Sequence, residues 1–172
     1  MYFAGHTLLN QALKRQILRH FSRAIALMGI VFALALSSCT LFEAQAPKVA
    51  LESLRLSVLP NANDNSPIAI EIVTTTDLAL AATLSTLPAN KWFAQKQQFQ
   101  NDFADKITVW RAELPPSQQL KLDPAPFYKT RSYGVFLFAN YYSAGDHRAR
   151  LEAYEKATIR FEATEFTVSQ EP

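Results

Sequence analysis

Apolar and polar residues alternate in several short stretches of the chain, and a period of two predicts β-strands. In "LRLSVL", Leu54, Leu56 and Val58 fall on one face, and "IAIEIVT" carries three isoleucines at every second position. The intervening "PNANDNSP" is rich in turn-forming residues. We therefore predict a strand, a polar and exposed loop at 60–67, and a second strand.

The period changes to that of a helix between residues 77 and 103. Asp77 is placed to cap a first helix, whose leucines at i, i+4 and i+7 share one face, and Pro88 ends it. Asn90 is placed to cap a second helix. The aromatic residues that share one face of this helix are Trp92, Phe99 and Phe103. The pattern predicts a helical insertion in a β chain.

Strand character returns in "KITVWRAEL" and "QLKL". "YGVFLFANYY" is apolar on both faces, which is typical of a central strand covered by a second sheet on one side and by helices on the other. After a turn at Gly145, Arg148 and Arg150 face outward on a return strand. In "ATIRFEATEFTV" the inward face changes sides, which predicts a bulge near Thr164. About seven strands result, so we predict a mainly β, two-sheet sandwich with one helical insertion.

The first 38 residues follow a different pattern. Four basic residues precede the apolar run "AIALMGIVFALAL", and two serines follow it, which is the order of a secretory signal peptide. The run is shorter than the roughly 20 apolar residues that span a bilayer. We predict that residues 1–38 are cleaved, that 39–50 form a tether, and that 51–172 form one domain. A short anchoring helix with an incidental cysteine is the alternative.

The end of this segment, Leu36-Ser37-Ser38-Cys39, resembles the lipobox of bacterial lipoproteins. The resemblance implies that Cys39 receives a diacylglycerol thioether, becomes the N-terminus and is then N-acylated. Each buried methylene contributes about 0.8 kcal/mol, and two lipid signals already give stable anchoring. In such lipoproteins an Asp after the cysteine signals retention at the inner membrane. Thr40 stands there instead, which favours the outer membrane, on its periplasmic face.

Removal of the signal segment changes the charge of the chain. The whole sequence has 17 Lys and Arg and a formal charge of +2, but without the first 38 residues 13 remain against 15 Asp and Glu, a charge of −2. The basic excess thus belongs to the cleaved segment, and we assign no nucleic-acid partner. The remaining 134 residues can bury a core without metal or disulfide support. A single cysteine can form no internal disulfide.

Few residues are suited to catalysis. His147 is the only histidine after residue 38, and its neighbour Asp146 would point to the opposite face of a strand, so the two fit a Ser-His-Asp arrangement poorly. Gly134 and Gly145 are too few for a phosphate-binding loop. We predict no enzymatic activity, no cofactor and no metal site.

Two surface features compete with simpler interpretations. Arg148 and Arg150, with Arg131, are a candidate secondary patch for an acidic partner, although alternating charges on an outer strand face are more commonly solvated. An aromatic set is expected to lie in the core rather than to form a ligand platform. Its members are Phe136, Phe138, Tyr141 and Tyr142.

The order of features also resembles a known family. The stretches "LRLSVLPNANDNSPIAIEI", "WRAELPPSQQLKL" and "YGVFLFANYYSAGDHRARLE" follow a lipobox and a tether, and they cover roughly the whole predicted domain. In this order they resemble the outer-membrane lipoproteins of type VI secretion systems, the TssJ family. The resemblance implies a transthyretin-like β-sandwich with extra helices.

The resemblance further implies that the domain binds the periplasmic part of the large inner-membrane component of the secretion machine. In that family the loop between the first two strands contributes to partner binding. The corresponding residues here are Asn61, Asn63, Asp64, Asn65 and Ser66. The alternative is another envelope lipoprotein, acting as a pilotin-like or ligand-binding module. A third class, transthyretin-fold hydrolases, has sites that need more than one histidine.

Overall fold

The protein is described by a computed structural model over residues 45–171. The predicted signal peptide and the lipidation site Cys39 lie outside these residues. The described chain forms eight strands and two helices. The strands are β1 (Ser53–Val58), β2 (Ile68–Thr75), β3 (Ile107–Leu114), β4 (Gln119–Leu122), β5 (Val135–Asn140), β6 (Arg148–Arg150), β7 (Lys156–Phe161) and β8 (Phe166–Gln170). The helices are α1 (Leu78–Thr86) and α2 (Ala89–Asp102).

The strands form two four-stranded sheets, in the orders β4-β1-β7-β8 and β3-β2-β5-β6. All neighbouring strands are antiparallel except β1 and β7, which run parallel. The prediction of a mainly β, two-sheet sandwich with a helical insertion between its second and third strands is confirmed.

The core between the sheets follows from the alternation in the sequence. Leu54 and Leu56 of β1 are fully buried and Val58 is 3% exposed, and the three isoleucines of β2 are also buried. They join one cluster with inward residues of β5 and β7. Burial of each such side chain contributes about 1.5–3 kcal/mol, so this cluster is the main source of stability.

Strand β5 is buried on both faces, as its sequence predicts. Its odd-numbered residues face the other sheet, whereas Phe136 and Phe138 face the helices. Trp92 of α2 stacks on Phe138 with ring centroids 5.1 Å apart. A helical layer therefore covers the outer face of the second sheet.

The two helices begin in different ways. The Asp77 side chain accepts a hydrogen bond from the Leu80 N–H at 2.9 Å, which confirms the predicted cap of α1. The predicted cap of α2 by Asn90 is wrong, because the helix already begins at Ala89, with Pro88 at the capping position and no side-chain cap. The Ala89 N–H instead donates to the Asp146 carbonyl at 2.7 Å.

The end of the chain contains a turn where the sequence predicted a bulge near Thr164. The Glu162 N–H donates to the Glu165 carbonyl at 2.8 Å, and the chain reverses to pair Phe161 with Phe166. The reversal explains why the inward face changes parity, and it raises the strand number from the expected seven to eight.

The segment before β1 packs against the domain. The Val49 N–H donates to the Thr130 carbonyl at 2.8 Å, the Lys129 N–H donates to the Val49 carbonyl at 3.0 Å, and Val49 is 4% exposed. The backbones of Lys48 and Arg131 also pair in an isolated antiparallel β-bridge. Residues 46–50, which the sequence placed in the tether, are thus part of the packed domain.

Candidate partner-binding surface

Four loops meet at one end of the sandwich. In one sheet β1 and β7 run parallel, and in the other β3 and β5 run the same way because both are antiparallel to β2. The short loop from β1 to β2 joins the end of β1 to the start of β2, so the chain leaves all four strands at this end. We call the surface made by these loops the apical surface. It consists of residues 59–67, 115–118, 141–147 and 162–165. The predicted partner-binding loop belongs to it.

The loop at 60–67 owes its Asn- and Asp-rich composition to its backbone. Asn63, Asp64 and Asn65 have φ angles of 46°, 55° and 56°. Consecutive residues in the left-handed region are costly for most side chains, and Asn and Asp tolerate this region best after glycine. The composition that marked this loop as a binding site is therefore also a requirement of its shape.

Asn63 holds the apical loops together. It is 2% exposed, its Nδ2 donates to the Pro67 carbonyl at 3.0 Å, and its Oδ1 accepts from the Tyr142 N–H at 2.8 Å. Its own N–H donates to the Ala163 carbonyl at 3.1 Å. The side chain is thus used within the domain, which corrects its assignment as a contact residue.

The other four predicted residues lie at or near the surface. Asn61, Asp64 and Asn65 are exposed, and Ser66 is half-buried. The Ser66 hydroxyl lies 3.4 Å from the Asp64 carbonyl, so it supports the turn. Three carboxamide or carboxylate groups of the loop are therefore free to meet a partner.

Tyr142 is an apical residue that the sequence misplaced in the core. It is 76% exposed, whereas Tyr141 beside it is 8% exposed. The Tyr141 hydroxyl donates to the Glu165 carbonyl at 2.7 Å, and its ring stacks on His147 with centroids 4.6 Å apart. Burial raises the pKa of Tyr141. The opposite parity of the two tyrosines was the signal that could have separated them.

The apical surface is acidic. Its loops contain four carboxylates and neither Lys nor Arg. Glu162 pairs with Arg160 at 3.4 Å, but Asp64, Asp146 and Glu165 form no ion pair within the described part of the chain. An exposed aromatic ring among unpaired acidic groups suits a partner segment that is basic and partly apolar.

His147 stabilises the 141–147 loop through contacts with Ser143. Its φ is 40°, and its Nε2 lies 3.0 Å from the Ser143 carbonyl and 3.4 Å from the Ser143 hydroxyl. No carboxylate forms a hydrogen bond to this ring among residues 45–171. Over the same residues, no group of three or more His, Cys, Asp or Glu is placed to hold a metal ion.

The predicted basic patch is used in internal contacts. Arg148 Nη1 donates to the Leu87 carbonyl at 3.2 Å. Arg150 pairs with Glu152, and its guanidinium lies 5.5 Å from the centre of the Phe136 ring. Arg131 Nη1 donates to the Ala46 carbonyl at 2.9 Å. These contacts make the arginines weaker candidates for partner binding than the apical loops.

Neither described helix is both long enough and apolar enough to cross a membrane. The sequence matches no protein-family model and no curated protein sequence.

Solved structures share the fold at low sequence identity. The T6SS lipoprotein TssJ1 from Pseudomonas aeruginosa is 12% identical with a TM-score of 0.52, covering 70% of this chain and 95% of the other. A structure described as a type VI membrane complex contains a chain that is 12% identical with a TM-score of 0.54, covering 69% and 98%. A structure described as the C-terminal domain of the T6SS protein TssM from EAEC is 13% identical with a TM-score of 0.51, covering 69% of this chain and 97% of the other. The predicted likeness is thus confirmed at the level of the fold: this chain has the helix-bearing β-sandwich fold of the type VI secretion lipoprotein TssJ1.

Proposed function

We propose that this protein is a lipoprotein of a type VI secretion membrane complex. In this proposal Cys39 carries the acyl chains that hold it in the outer membrane, and the domain lies in the periplasm. The apical surface binds the periplasmic part of the large inner-membrane component. The observation that supports the proposal most is the fold shared with TssJ1 over 70% of the chain.

The apical surface suits such a role because its shape is fixed before binding. Backbone and side-chain hydrogen bonds join the loops at 60–67, 141–147 and 162–165. A partner therefore need not order these loops, and the entropic cost of association is reduced. Tyr142 offers the kind of aromatic side chain that dominates binding energy at protein interfaces.

The role requires no bond-making chemistry, since a protein that links an outer membrane to an inner-membrane component acts by holding both. The lipid supplies one attachment and the domain the other. Acyl chains on Cys39 would give a stable anchor, because membrane binding strengthens by about 0.8 kcal/mol for each buried methylene.

Co-purification with the periplasmic fragment of the candidate inner-membrane component tests the binding step. We expect Tyr142→Ala to weaken binding by about tenfold or more, as truncation of a central aromatic does at many interfaces. Asp64→Asn removes the charge but keeps a side chain that tolerates the left-handed backbone. We expect it to reduce the association rate and the dependence of that rate on salt, measured by surface binding kinetics. Asn63 is left unchanged because its substitution would disturb the loop itself.

Leu78→Ala is the matched control. Leu78 is 66% exposed on α1, outside the apical surface, so its truncation also removes an exposed apolar side chain. Loss of binding by the Leu78 variant together with full binding by the Tyr142 variant would move the interface away from the apical loops. Failure of the wild-type chain to bind would favour the alternative, an unrelated pilotin-like or ligand-binding envelope lipoprotein.

A further inference from the structure

The four edges of the two sheets differ in how they are protected. Edge strands attract other strands, and proteins commonly block them with charged residues or proline. Edge strands β3, β4 and β6 each carry Lys or Arg. Strand β8, "FTVSQ", has no charged residue and no proline. Among the edges that the structure describes, β8 alone lacks such protection.

The hydrogen bonds at its two ends show which groups of β8 are free. The Glu162 N–H donates to the Glu165 carbonyl, and the Glu171 N–H donates to the Lys156 carbonyl at 2.9 Å. In an antiparallel pair such hydrogen-bonded positions recur at every second residue. The backbone groups of Thr167 and Ser169 therefore face β7. Those of Phe166, Val168 and Gln170 point away from it, toward the open edge.

A groove lies along this edge, between β8 and β6 of the other sheet. Its cavity of about 420 Å³ is lined by Phe166 and Val168 on one side and by Asp146, His147 and Ala149 on the other. The two lining residues of β8 are among those with outward-pointing backbone groups. An added strand would run about 4.8 Å from β8, within the mouth of this groove.

Charge disfavours a second copy in the register that pairs the two β8 strands over their full length. Antiparallel pairing with the β8 of a second copy, centred on Val168, would place Glu165 of each copy opposite Glu171 of the other. Like charges directly opposite each other destabilise a strand pair. Asp146 also lines the groove, as does Arg148, whose Nη1 donates to the Leu87 carbonyl. With Glu165 on the other side, the lining has a formal net charge of −1. A segment with Lys or Arg beside its apolar residues would be attracted by Glu165 and Asp146, whereas the glutamates of a second copy would be repelled.

We propose that the β8 edge is a docking surface that takes an extended segment of a partner protein as an added strand. The segment is strand-forming, and it carries a Lys or Arg that lies against Glu165 and Asp146. The added strand forms backbone hydrogen bonds with Phe166, Val168 and Gln170, the mode of recognition known as strand addition. This surface shares Asp146, His147 and Glu165 with the apical surface but not the loop at 60–67. The test reads the β8 amides themselves, so its outcome does not depend on the function proposed above.

The test uses the full chain in a non-ionic detergent and a designed peptide, acetyl-Lys-Val-Thr-Val-Thr-Val-Lys-amide. Amide hydrogen exchange is measured residue by residue with increasing peptide. We expect exchange at Phe166, Val168 and Gln170 to slow by about tenfold or more near saturation, since these N–H groups gain acceptors. The same peptide with Glu in place of Lys should bind about tenfold more weakly.

Val168→Pro removes one outward N–H, and Val168→Ala is its matched control because it trims the side chain but keeps the N–H. We expect the proline variant to lose peptide binding and the alanine variant to keep it. If Val168→Pro fails to fold, Gln170→Pro takes its place, since that side chain is exposed. The proposal is overturned if amide exchange in β8 is unchanged at about 10 mM peptide, a concentration that would reveal even very weak binding. It is also overturned if the proline and alanine variants bind the peptide equally well.

Discussion

Asn63 both adopts the backbone conformation that the 60–67 loop requires and forms the side-chain hydrogen bonds that connect the apical loops. Its positive φ suits Asn or Gly, and its carboxamide joins the 60–67 loop to the Tyr142 amide. A sequence pattern of turn formers locates such a loop. It does not show which of several similar Asn residues turns inward, because that depends on loops far away in the chain.

Asn63→Gly should therefore destabilise the domain although it keeps the backbone freedom. We expect the free energy of unfolding to fall by about 1–3 kcal/mol, because the Tyr142 N–H and the Pro67 carbonyl lose their partners. Urea denaturation measures the change. Asn65→Gly is the matched control at an exposed position of the same turn, and it should be close to neutral. Equal effects at the two positions would contradict the role assigned to Asn63.

Tyr141 predicts a dependence of stability on alkaline pH. Its pKa is raised above the usual 10.0, chiefly by burial. Above pH 10 the unfolded chain releases this proton while the folded chain keeps it, so the free energy of unfolding falls as the pH rises. The contribution is fully present below pH 10. Urea denaturation between pH 8 and pH 11 measures it.

Tyr141→Phe should remove this component of the alkaline loss. The variant also loses the hydrogen bond to the Glu165 carbonyl, so we expect it to be about 1 kcal/mol less stable at pH 8 but flatter above pH 10. Tyr142→Phe is the matched control, since its ring is exposed, and it should keep the wild-type slope. If the unfolding free energy of the Tyr141 variant fell with pH above pH 10 as steeply as that of the wild type, the buried Tyr141 hydroxyl would not be the source of the alkaline loss.

At the scale of elements, the helical layer is held to its sheet by packing and by one buried carboxylate. Glu71 of β2 is 2% exposed and accepts a hydrogen bond from the Trp92 Nε1–H at 2.8 Å. It also pairs with Lys96 of α2, and with Arg111 of β3 at 3.2 Å. A charge in this position is tolerable because three donors surround it.

Glu71→Ala should weaken the attachment of α2. It leaves the Trp92 indole N–H buried without its acceptor, whereas Lys96 and Arg111 can turn to solvent. We expect a loss of about 2–3 kcal/mol in the free energy of unfolding, measured by urea denaturation. Glu71→Gln, which keeps an acceptor, should cost less. Glu113→Ala on the neighbouring strand is the exposed control, and a loss there as large as at Glu71 would contradict this account.

The two faces of β5 explain why the helical insertion lies where it does. A strand with Phe136 and Phe138 on one side and aliphatic residues on the other must be covered twice. The two helices follow β2 in the chain, which is the strand beside β5, so a short connection brings them onto that face. The helices therefore cover the sheet face next to the strand that they follow in the sequence.

At the scale of the whole molecule, the proposed function separates attachment from recognition. In that proposal the acyl chains are carried by Cys39, which precedes the described residues, and binding is assigned to the apical surface at one end of the sandwich. The apical end carries the loop that the family resemblance pointed to, together with Tyr142 and three carboxylates that form no ion pair with any other residue of 45–171.

Cys39→Ser should abolish membrane anchoring without unfolding the domain. We expect the variant to leave the membrane fraction and to lose labelling by radioactive palmitate, because serine cannot form the thioether. Fractionation of cells that express the wild-type chain and the variant measures this. Thr40→Ser, next to the cysteine, is the matched control and should remain lipidated. Membrane retention of an unlabelled Cys39 variant would favour the alternative of an anchoring helix.

The sequence alone determined the parts of the fold that depend on local periodicity. Alternation located β1 and β2, an apolar stretch identified β5 as a central strand, and Asp77 located the start of α1. These features are readable because burial on one face or on both leaves a direct mark on neighbouring residues.

Only the tertiary structure decided the features that rest on contacts distant in sequence. It placed Asn63 inside and Tyr142 outside, replaced the expected bulge by a turn, and engaged Arg148 with the Leu87 carbonyl. It also left β8 as an open edge. Strand order and loop convergence are set by packing of the whole chain, so the local pattern that predicts an element does not say which elements will be its neighbours.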